Sequence, residues 1–271
     1  MSLNFDLTDK TAVITGGSGV IGSVIAKELA KKGVKVAIIG RHTEKLKAIA
    51  DQITEAGGFA IYCTADVLDK DSLEEARNEI QKQFTKVDIL VNGAGGNNTE
   101  ATTSEELSFF DIQADSLKKV FDLNVTGAIL TTQVFGKLFA EAGSGSVINI
   151  SSMAAYHPLT KTIAYSAAKA AVNNFTQWMA VHFNQNYSMN IRVNAIAPGF
   201  LLTSQNRFLM QYENGELTDR GKSVLAKTPM GRFGEPEELV GVILWLCSDA
   251  ASFVNGAVIP IDGGFSAYWG V

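Results

Sequence analysis

The sequence TAVITGGSGVIGSVIAKEL, residues 11–29, decides the fold of this chain. Residues 11–15 form an apolar, β-branched run typical of a buried parallel strand, and a glycine-rich turn then leads into an amphipathic helical pattern. Such a turn places backbone N–H groups and a helix N-terminus together, which favours binding of a phosphate. Because glycine is needed where a Cβ would block a pyrophosphate, the stretch indicates a dinucleotide-binding strand, turn and helix. A tight turn without a ligand is the structural alternative.

Strands and helices alternate along the rest of the chain. Strand-like runs follow at 34–39, 59–64, 87–91, 147–150, 190–197 and 257–261, and helical patterns separate them, including one long helix expected at 116–141. This alternation predicts a parallel sheet covered on both faces, which is a doubly wound Rossmann-type α/β fold. No linker divides the chain, so we predict a single domain over residues 1–271, with a substrate loop at about 96–115 and a lid at about 203–228.

Composition restricts the class of protein. The formal charge of −5 and pI near 5.3 argue against nucleic acid or an anionic membrane as the main partner. No apolar run approaches the roughly 18 residues of a membrane span, so a cytoplasmic location is expected. Cys63 and Cys247 lack metal or redox spacing and the three histidines do not cluster, so we expect core thiols and no metal.

A second stretch, SVINISSMAAYHPLTKTIAYSAAKAAVNNF at residues 146–175, contains the predicted chemistry. Tyr165 and Lys169 lie four residues apart in a helical pattern and therefore share one helix face. An ammonium beside a phenol is expected to lower the phenol pKa from its usual value of about 10, which favours proton transfer at neutral pH. Ser152 ends the preceding strand, where its hydroxyl could reach the same substrate atom. A Tyr-x-x-x-Lys match alone arises by chance about 0.4 times in such a chain, so its surroundings decide its meaning.

The second strand ends in Gly40 and Arg41 rather than in the acid that usually holds the ribose of NAD. A cation without a carboxylate suits a 2′-phosphate, so NADP(H) is favoured over NAD(H), although Arg41 could instead be a solvated surface residue. Asp66 follows the third strand, where its carboxylate could accept a hydrogen bond from adenine. The glycines of NGAGG at 92–96 follow the fourth strand and again suggest close approach of a ligand.

Together these residues resemble the short-chain dehydrogenase/reductase family over nearly the whole chain. The glycine turn, Asp66, Asn92 to Gly95, Asn124, the Ser152, Tyr165 and Lys169 set, and Pro198-Gly199 occur in the order and spacing of that family. The resemblance implies that Tyr165 is the acid/base, that Ser152 polarises the carbonyl, and that Lys169 lowers the Tyr165 pKa and holds the nicotinamide ribose. It also implies that Asn124 completes a proton relay and that Thr203 contacts the carboxamide. The implied cofactor-binding set is Gly16, Ser18, Gly19, Val20, Ile21, Arg41, Asp66, Val67, Asn92, Ala94, Gly95, Tyr165, Lys169, Pro198, Gly199 and Thr203.

The glycine turn departs from the common family pattern. That pattern is TGxxxGxG, whereas residues 15–22 read TGGSGVIG, with Val20 at the position of the second glycine and Gly19 one place early. The spacing Gly16, Gly19, Gly22 is similar to that of longer-chain members. This departure affects the detailed geometry of the phosphate site and not the expected binding of a phosphate.

Within the family, NGAGGNN, APGFLLTSQNR and IDGGFSAYWGV are similar to enzymes of the D-mannonate oxidoreductase type, which interconvert D-fructuronate and D-mannonate. Donors at the expected mouth suit the hydroxyls and carboxylate of such a sugar acid. These donors are Asn97, Asn98, His157, Lys161, Gln205, Asn206 and Arg207. Arg207 is the first candidate for the carboxylate and Lys161 the second, while Asn97, Ser152 and His157 complete the predicted substrate set.

Three other functions remain open at this point. A gluconate 5-dehydrogenase-like or a 3-oxoacyl-carrier reductase-like enzyme would share the fold, although the polar mouth disfavours an acyl chain. A cofactor-sensing protein without catalysis would not need an intact Ser152, Tyr165 and Lys169. The family resemblance implies a homotetramer, and the aromatic tail FSAYWGV is compatible with a subunit contact.

Overall fold

The computed structural model describes residues 5–203 and 206–270. Seven strands form one parallel sheet in the order β3-β2-β1-β4-β5-β6-β7, which is the doubly wound arrangement that the sequence predicts. The strands are β1 Thr11–Thr15, β2 Lys35–Gly40, β3 Phe59–Thr64, β4 Ile89–Asn92, β5 Gly145–Ile150, β6 Ile191–Pro198 and β7 Val258–Ile261. The α-helices are α1 Val20–Lys31, α2 Thr43–Glu55, α3 Lys70–Gln83, α4 Ala114–Phe121, α5 Gly127–Ala142, α6 Ile163–Asn186, α7 Arg207–Met210, α8 Asp219–Ala226 and α9 Val240–Cys247.

Each face of the sheet has its own hydrophobic core. Leu29 of α1 and Leu246 of α9 are fully buried against one face, and Phe135 and Phe139 of α5 are fully buried against the other. Strands β1 and β6 are buried along their whole length, and β6 includes two buried polar residues, Arg192 and Asn194, among its apolar ones. The sheet is therefore a rigid base whose carboxyl edge carries the connecting loops.

The strand order reverses at β1, which pairs with β2 on one side and β4 on the other. The loops after β1 and β4 consequently leave in different directions and open a crevice between them, the usual ligand position in such sheets. Thr15 and Asn92 are register partners at this edge. The glycine turn at 16–19 and the loop at 93–96 thus lie side by side.

The helix expected at 116–141 is present, but a π-helical turn interrupts its regular hydrogen bonding. The chain forms α4, then a π-helical turn at Asp122–Thr126, then α5. Asn124 lies in this turn, where its amide nitrogen donates to the carbonyls of Val120 (2.8 Å) and Gly96 (2.7 Å). Its side-chain oxygen accepts from the Gly96 amide at 3.1 Å. Helical periodicity alone cannot reveal that the Asn124 side chain has these hydrogen-bond partners. π-Helical turns are often found at functional sites.

The predicted lid region contains α7 and α8, and its two ends are tied together. Residues Phe200 and Leu202 exchange backbone hydrogen bonds with Gly234, at 3.0 and 2.8 Å. Arg232 forms a two-bond ion pair with Glu238, at 2.6 and 2.8 Å. None of the helices within residues 5–203 and 206–270 is long and apolar enough to cross a membrane.

Candidate active site

A cleft with a volume of about 320 Å³ opens at the carboxyl edge of the sheet. It brings together many of the predicted residues from five separate parts of the chain. These are Gly16, Gly19, Val20, Ile21, Gly95, Ser152, Tyr165, Lys169, Pro198, Gly199 and Thr203. The cleft is also lined by Gly22, Gly93 and Gly96 of the two glycine stretches, and by residues that sequence reasoning did not select, which are Ile150, Ser151, Phe200 and Leu201.

The glycine turn forms one end of the cleft and requires its glycines. Gly16 has φ +66°, and a Cβ there would lie 2.7 Å from the carbonyl oxygen of Gly93. A Cβ on Gly22 would lie 2.3 Å from the carbonyl oxygen of Gly16. Side chains at these two positions would therefore collide with backbone, so the close approach of the two loops depends on glycine.

The shifted glycine spacing still leaves a helix N-terminus facing the cleft. Gly19 is the N-cap of α1 with φ −77°, no side chain caps this helix, and its first turn contains no acid. Val20 and Ile21 line the cleft as the first residues of the helix. Uncapped backbone N–H groups at the end of a 12-residue helix suit an anion. This end of the cleft therefore fits the pyrophosphate of a dinucleotide.

Thr15 ties the glycine turn to the neighbouring loop, a role that the sequence analysis missed. Its hydroxyl oxygen accepts hydrogen bonds from the amides of Gly93 (3.2 Å) and Ala94 (3.3 Å). The side chain is buried, so these contacts are shielded from water. A threonine immediately before the first glycine was the available signal, but its partners are more than 75 residues away and become visible only in the fold.

The structure brings Ser152, Tyr165 and Lys169 into the middle of the cleft. Ser152 follows β5 and caps a short 3₁₀ turn by accepting from the Ala154 amide at 3.1 Å. Tyr165 and Lys169 lie on successive turns of α6, with the Lys169 Nζ 5.6 Å from the centre of the Tyr165 ring. The Lys169 ammonium donates to the carbonyl oxygen of Ile150 at 2.7 Å, which fixes α6 against the end of β5.

The acid–base properties of this group differ from the sequence expectation. Burial raises the pKa of Tyr165, and the interaction with the Ser152 hydroxyl opposes that rise. Burial lowers the pKa of Lys169 to about 8. The predicted lowering of the Tyr165 pKa by Lys169 is therefore not seen in the chain alone. The physical reason is that both side chains are removed from water, so desolvation disfavours phenolate as well as ammonium.

Asn124 lies next to Lys169. A Cβ placed on Gly95 would be 2.8 Å from the Asn124 side-chain oxygen and 3.2 Å from the Lys169 Nζ, so both polar atoms approach the same glycine. The Asn124 side chain also bonds to both the N–H and the C=O of Gly96. It therefore fixes the loop beside Lys169. The predicted catalytic residues are thus contiguous in space.

Beside the glycine turn, Gly40 ends β2 and Arg41 is exposed. A Cβ on Gly40 would lie 3.5 Å from the hydroxyl oxygen of Ser18, so the predicted residues of the glycine turn and β2 meet here. Arg41 makes no ion pair with any residue that the structure describes. The Asp66 carboxylate accepts from the Leu68 amide at 3.0 Å, which positions it beyond the end of β3.

Two predicted cofactor residues direct their side chains away from the cleft. Asn92 is 5% exposed, and its side-chain nitrogen donates to Thr132 (2.9 Å) and Asn149 (2.8 Å) inside the protein. Val67 is buried against Gly127, whose added Cβ would lie 2.8 Å from a Val67 methyl group. Both side chains serve the packing of the surrounding core, so any contact of these residues with a cofactor falls to their backbone atoms.

The predicted substrate residues divide into two groups. Arg207 begins α7. Its amide donates to the carbonyl of Thr203, a residue that lines the cleft, at 2.9 Å. Asn206 lines the cleft, while Gln205 lies outside the described residues. Lys161 is exposed, and its carbonyl oxygen accepts from the Thr103 amide at 3.0 Å, so it connects two loops beside the cleft.

His157, Asn97 and Asn98 are already engaged by protein atoms. The His157 Nε2 lies 3.2 Å from the carbonyl oxygen of Ser266, and its ring contacts Trp269. Asn97 donates to Thr102 at 2.8 Å, and Asn98 caps the following turn. The His157 Nε2 therefore has a protein partner, and the predicted substrate role of His157 stays a prediction. Within the described residues, no group of three His, Cys, Asp or Glu side chains could hold a metal ion.

Comparisons with known proteins agree with this geometry. A family model described as enoyl-(acyl carrier protein) reductase, of the short-chain type, matches residues 17–266. An uncharacterised oxidoreductase of Bacillus subtilis, UxuB, is 52% identical over 99% of each chain. A crystal structure from Haemophilus influenzae, described provisionally as a D-mannonate oxidoreductase with bound NAD, is 46% identical over 98% of each chain with a TM-score of 0.93. A structure from Beutenbergia cavernae, described provisionally as a gluconate 5-dehydrogenase with low-occupancy NADP, is 32% identical over 97% of this chain and 98% of that one, with a TM-score of 0.85.

The fold and the cleft define an oxidoreductase that uses a nicotinamide dinucleotide. The chain belongs to the short-chain dehydrogenase/reductase family, as the family model and the relatives show.

Proposed function

We propose that this enzyme interconverts a ketone and a secondary alcohol on a sugar acid, with D-fructuronate and D-mannonate as the pair. The main observation is the group of Ser152, Tyr165 and Lys169 in a dinucleotide cleft, with Arg207 bonded to the cleft residue Thr203. The similarity to the Haemophilus influenzae structure supports the choice of substrate.

Each residue of the group has a distinct role in this proposal. A bound reduced nicotinamide supplies the hydride that reaches the carbonyl carbon. Tyr165 donates its phenolic proton to the carbonyl oxygen, and the Ser152 hydroxyl donates a hydrogen bond to the same oxygen. The raised pKa of Tyr165 keeps the phenol protonated at neutral pH, which suits an acid in the reduction direction. Lys169 holds α6 at the end of β5, and Asn124 holds the loop above it.

We assign the substrate carboxylate to Arg207, with Lys161 as the second candidate. One nitrogen of the Arg207 guanidinium donates to the side-chain oxygen of Gln211 at 3.1 Å. Its remaining donors can form a two-bond contact with a carboxylate. Replacing Arg207 with Leu should raise the KM for a sugar acid by about tenfold or more and leave that for an uncharged ketone unchanged. Equal effects on both ketones would contradict the assignment.

We also propose that NADP(H) is preferred over NAD(H). The support is the exposed Arg41 and the absence of a side chain at Gly40, where NAD-selective enzymes usually carry an acid. The related structure with bound NAD favours the opposite preference, so the assay must separate them. Arg41→Ala should weaken NADPH binding by about tenfold and leave NADH binding within about twofold, because only NADPH carries the extra phosphate.

The deciding experiment is the initial rate at 340 nm with three ketones, each with NADH and with NADPH. D-Fructuronate tests the main proposal, 5-ketogluconate tests a gluconate 5-dehydrogenase, and an acetoacetyl thioester tests an acyl-carrier reductase. The similarity to the Beutenbergia cavernae structure makes the gluconate reaction the second candidate. A preference for 5-ketogluconate would replace the substrate assignment while retaining Tyr165 and Lys169. Cofactor binding without turnover of any ketone would favour the cofactor-sensing alternative.

We propose a homotetramer in which α5 and α6 form one subunit contact. A groove of about 950 Å³ runs between these helices and is lined by Phe175, Trp178 and Met179, among others. Trp178 and Val181 of α6 and Tyr187 at its C-terminal end are more than half exposed, which is unusual for large apolar side chains along one element. Sedimentation should show a tetramer for the wild type and smaller species for Val181→Glu. A monomeric wild type would contradict the proposal.

A further inference from the structure

The segment after β7, Asp262–Trp269, contacts Phe200, which lines the cleft, and His157; we call it the strap. Its shape is set by Asp262, whose two carboxylate oxygens accept from the amides of Gly264 (2.9 Å) and Ser266 (2.8 Å). Gly263 and Gly264 have φ of +64° and +87°, conformations that other residues rarely adopt. The strap is therefore a defined turn and not a loose terminus.

One end of the strap is packed against Phe200, which lines the cleft. The Gly199 amide donates to the Ile261 carbonyl at 2.9 Å, and a Cβ on Gly199 would lie only 2.6 Å from the Cα of Asp262. The rings of Phe200 and Phe265 meet edge to face with centres 5.2 Å apart. The position of the strap thus determines the position of Phe200.

The other end of the strap is held by His157. Its Nε2 lies 3.2 Å from the Ser266 carbonyl oxygen, which can only accept, so the hydrogen bond requires a proton on Nε2. The His157 ring also meets Trp269 edge to face at 5.8 Å. Trp269 is 79% exposed, and its ring contact is with His157. His157 follows Ser152 by five residues, in the loop that leads to Tyr165.

We propose that the strap is the specificity-determining wall of the substrate mouth and that His157 is the residue that positions it. The strap extends from Phe200, which lines the cleft, to His157 in the loop between Ser152 and Tyr165. Its docking therefore limits the size of the ketone that reaches Tyr165, admitting a hydroxylated sugar acid and excluding a bulky acyl thioester. This deepens the proposed function and rests on it for the identity of the admitted ketone.

Four variants separate this role from the alternatives. His157→Gln keeps an N–H donor for the Ser266 carbonyl, whereas His157→Phe keeps the ring and loses the donor. Trp269→Ala removes the ring contact from the strap. Phe253→Ala is the control, because this fully exposed aromatic residue precedes β7 and so lies at the opposite edge of the sheet.

Steady-state rates with D-fructuronate and an acetoacetyl thioester measure which ketones the substrate mouth admits. NADPH titration, thermal unfolding and sedimentation report cofactor affinity, stability and oligomeric state in parallel. We expect His157→Phe and Trp269→Ala to raise the KM for D-fructuronate and the relative rate on the thioester, each by about tenfold, the effect of one lost contact. NADPH affinity, melting temperature and oligomeric state should stay as in the wild type. His157→Gln and Phe253→Ala should remain within about threefold of the wild type for both ketones.

Three results would overturn the inference. Equal impairment of His157→Gln and His157→Phe would mean that His157 contacts the substrate itself. Unchanged size preference in His157→Phe and Trp269→Ala would mean that the strap does not bound the mouth. Dissociation of the oligomer together with the rise in KM would place the strap in a subunit contact. If the wild type ignores D-fructuronate but reduces another ketone, the proposed substrate fails, and the same variants measured on that ketone still test the strap.

Discussion

Replacing Lys169 with Met should stabilise the chain at neutral pH while abolishing turnover. Lys169 is 5% exposed, and burial lowers its pKa from the ordinary 10.5 to about 8. One pKa unit corresponds to about 1.4 kcal/mol, so the buried ammonium costs the folded chain about 3 kcal/mol at pH 7. Met has a similar length and no charge. It loses the hydrogen bond to the Ile150 carbonyl, worth about 1 kcal/mol, so the net gain in the free energy of unfolding is about 2 kcal/mol.

The pH dependence of the free energy of unfolding tests the sign of this effect. Between pH 8 and 10.5 the unfolded chain holds a proton on Lys169 that the folded chain has released, so wild-type stability gains a contribution that rises with pH. Lys169→Met lacks this contribution, and its advantage should shrink by about 2 kcal/mol between pH 7 and pH 9.5. The raised pKa of Tyr165 acts in the opposite direction but is common to both proteins and largely cancels.

Urea unfolding of both proteins without cofactor, at pH 7 and 9.5, measures the effect. Lys82→Met is the control, because this α3 lysine has a side chain that is 63% exposed and should give the same difference from the wild type at both pH values. Destabilisation by Lys169→Met that is equal at the two pH values would refute the reasoning, since it would mean that Lys169 is not penalised by burial.

Three further predictions follow from individual contacts. Tyr165→Phe should lower kcat by about a thousandfold, the scale of a lost general acid, and leave NADPH affinity unchanged; near wild-type turnover would contradict its role. Gly22→Val should weaken cofactor binding by at least about tenfold, because its Cβ would lie 2.3 Å from the Gly16 carbonyl oxygen. An unchanged dissociation constant of the cofactor, measured by titration, would mean that the glycine turn does not hold the cofactor. Arg192→Leu should lower the free energy of unfolding by about 2 kcal/mol, because the two hydrogen bonds from the buried guanidinium to the carbonyls of Leu246 and Ser248 would be lost; urea unfolding at pH 7 checks this value.

The sequence determined much of the cleft because its signals are local. Residues 11–29 contain a strand, a turn and a helix in succession, and the glycine spacing predicts a cradle whether or not the rest of the chain is known. The spacing of Tyr165 and Lys169 likewise defines a shared helix face from periodicity alone. The parallel sheet follows from alternation, since crossover connections allow few other arrangements.

Tertiary structure decided what depends on distant neighbours. The π-helical turn at Asn124 arises from hydrogen bonds to Gly96, and the direction of the Tyr165 pKa follows from burial by surrounding elements. His157 looked like a substrate donor, but a carbonyl 109 residues later in the chain takes its Nε2. Local pattern therefore determined which residues form the cleft, whereas the environment of each polar group was decided by the fold, because desolvation and hydrogen-bond partners depend on atoms that only the folded chain brings together.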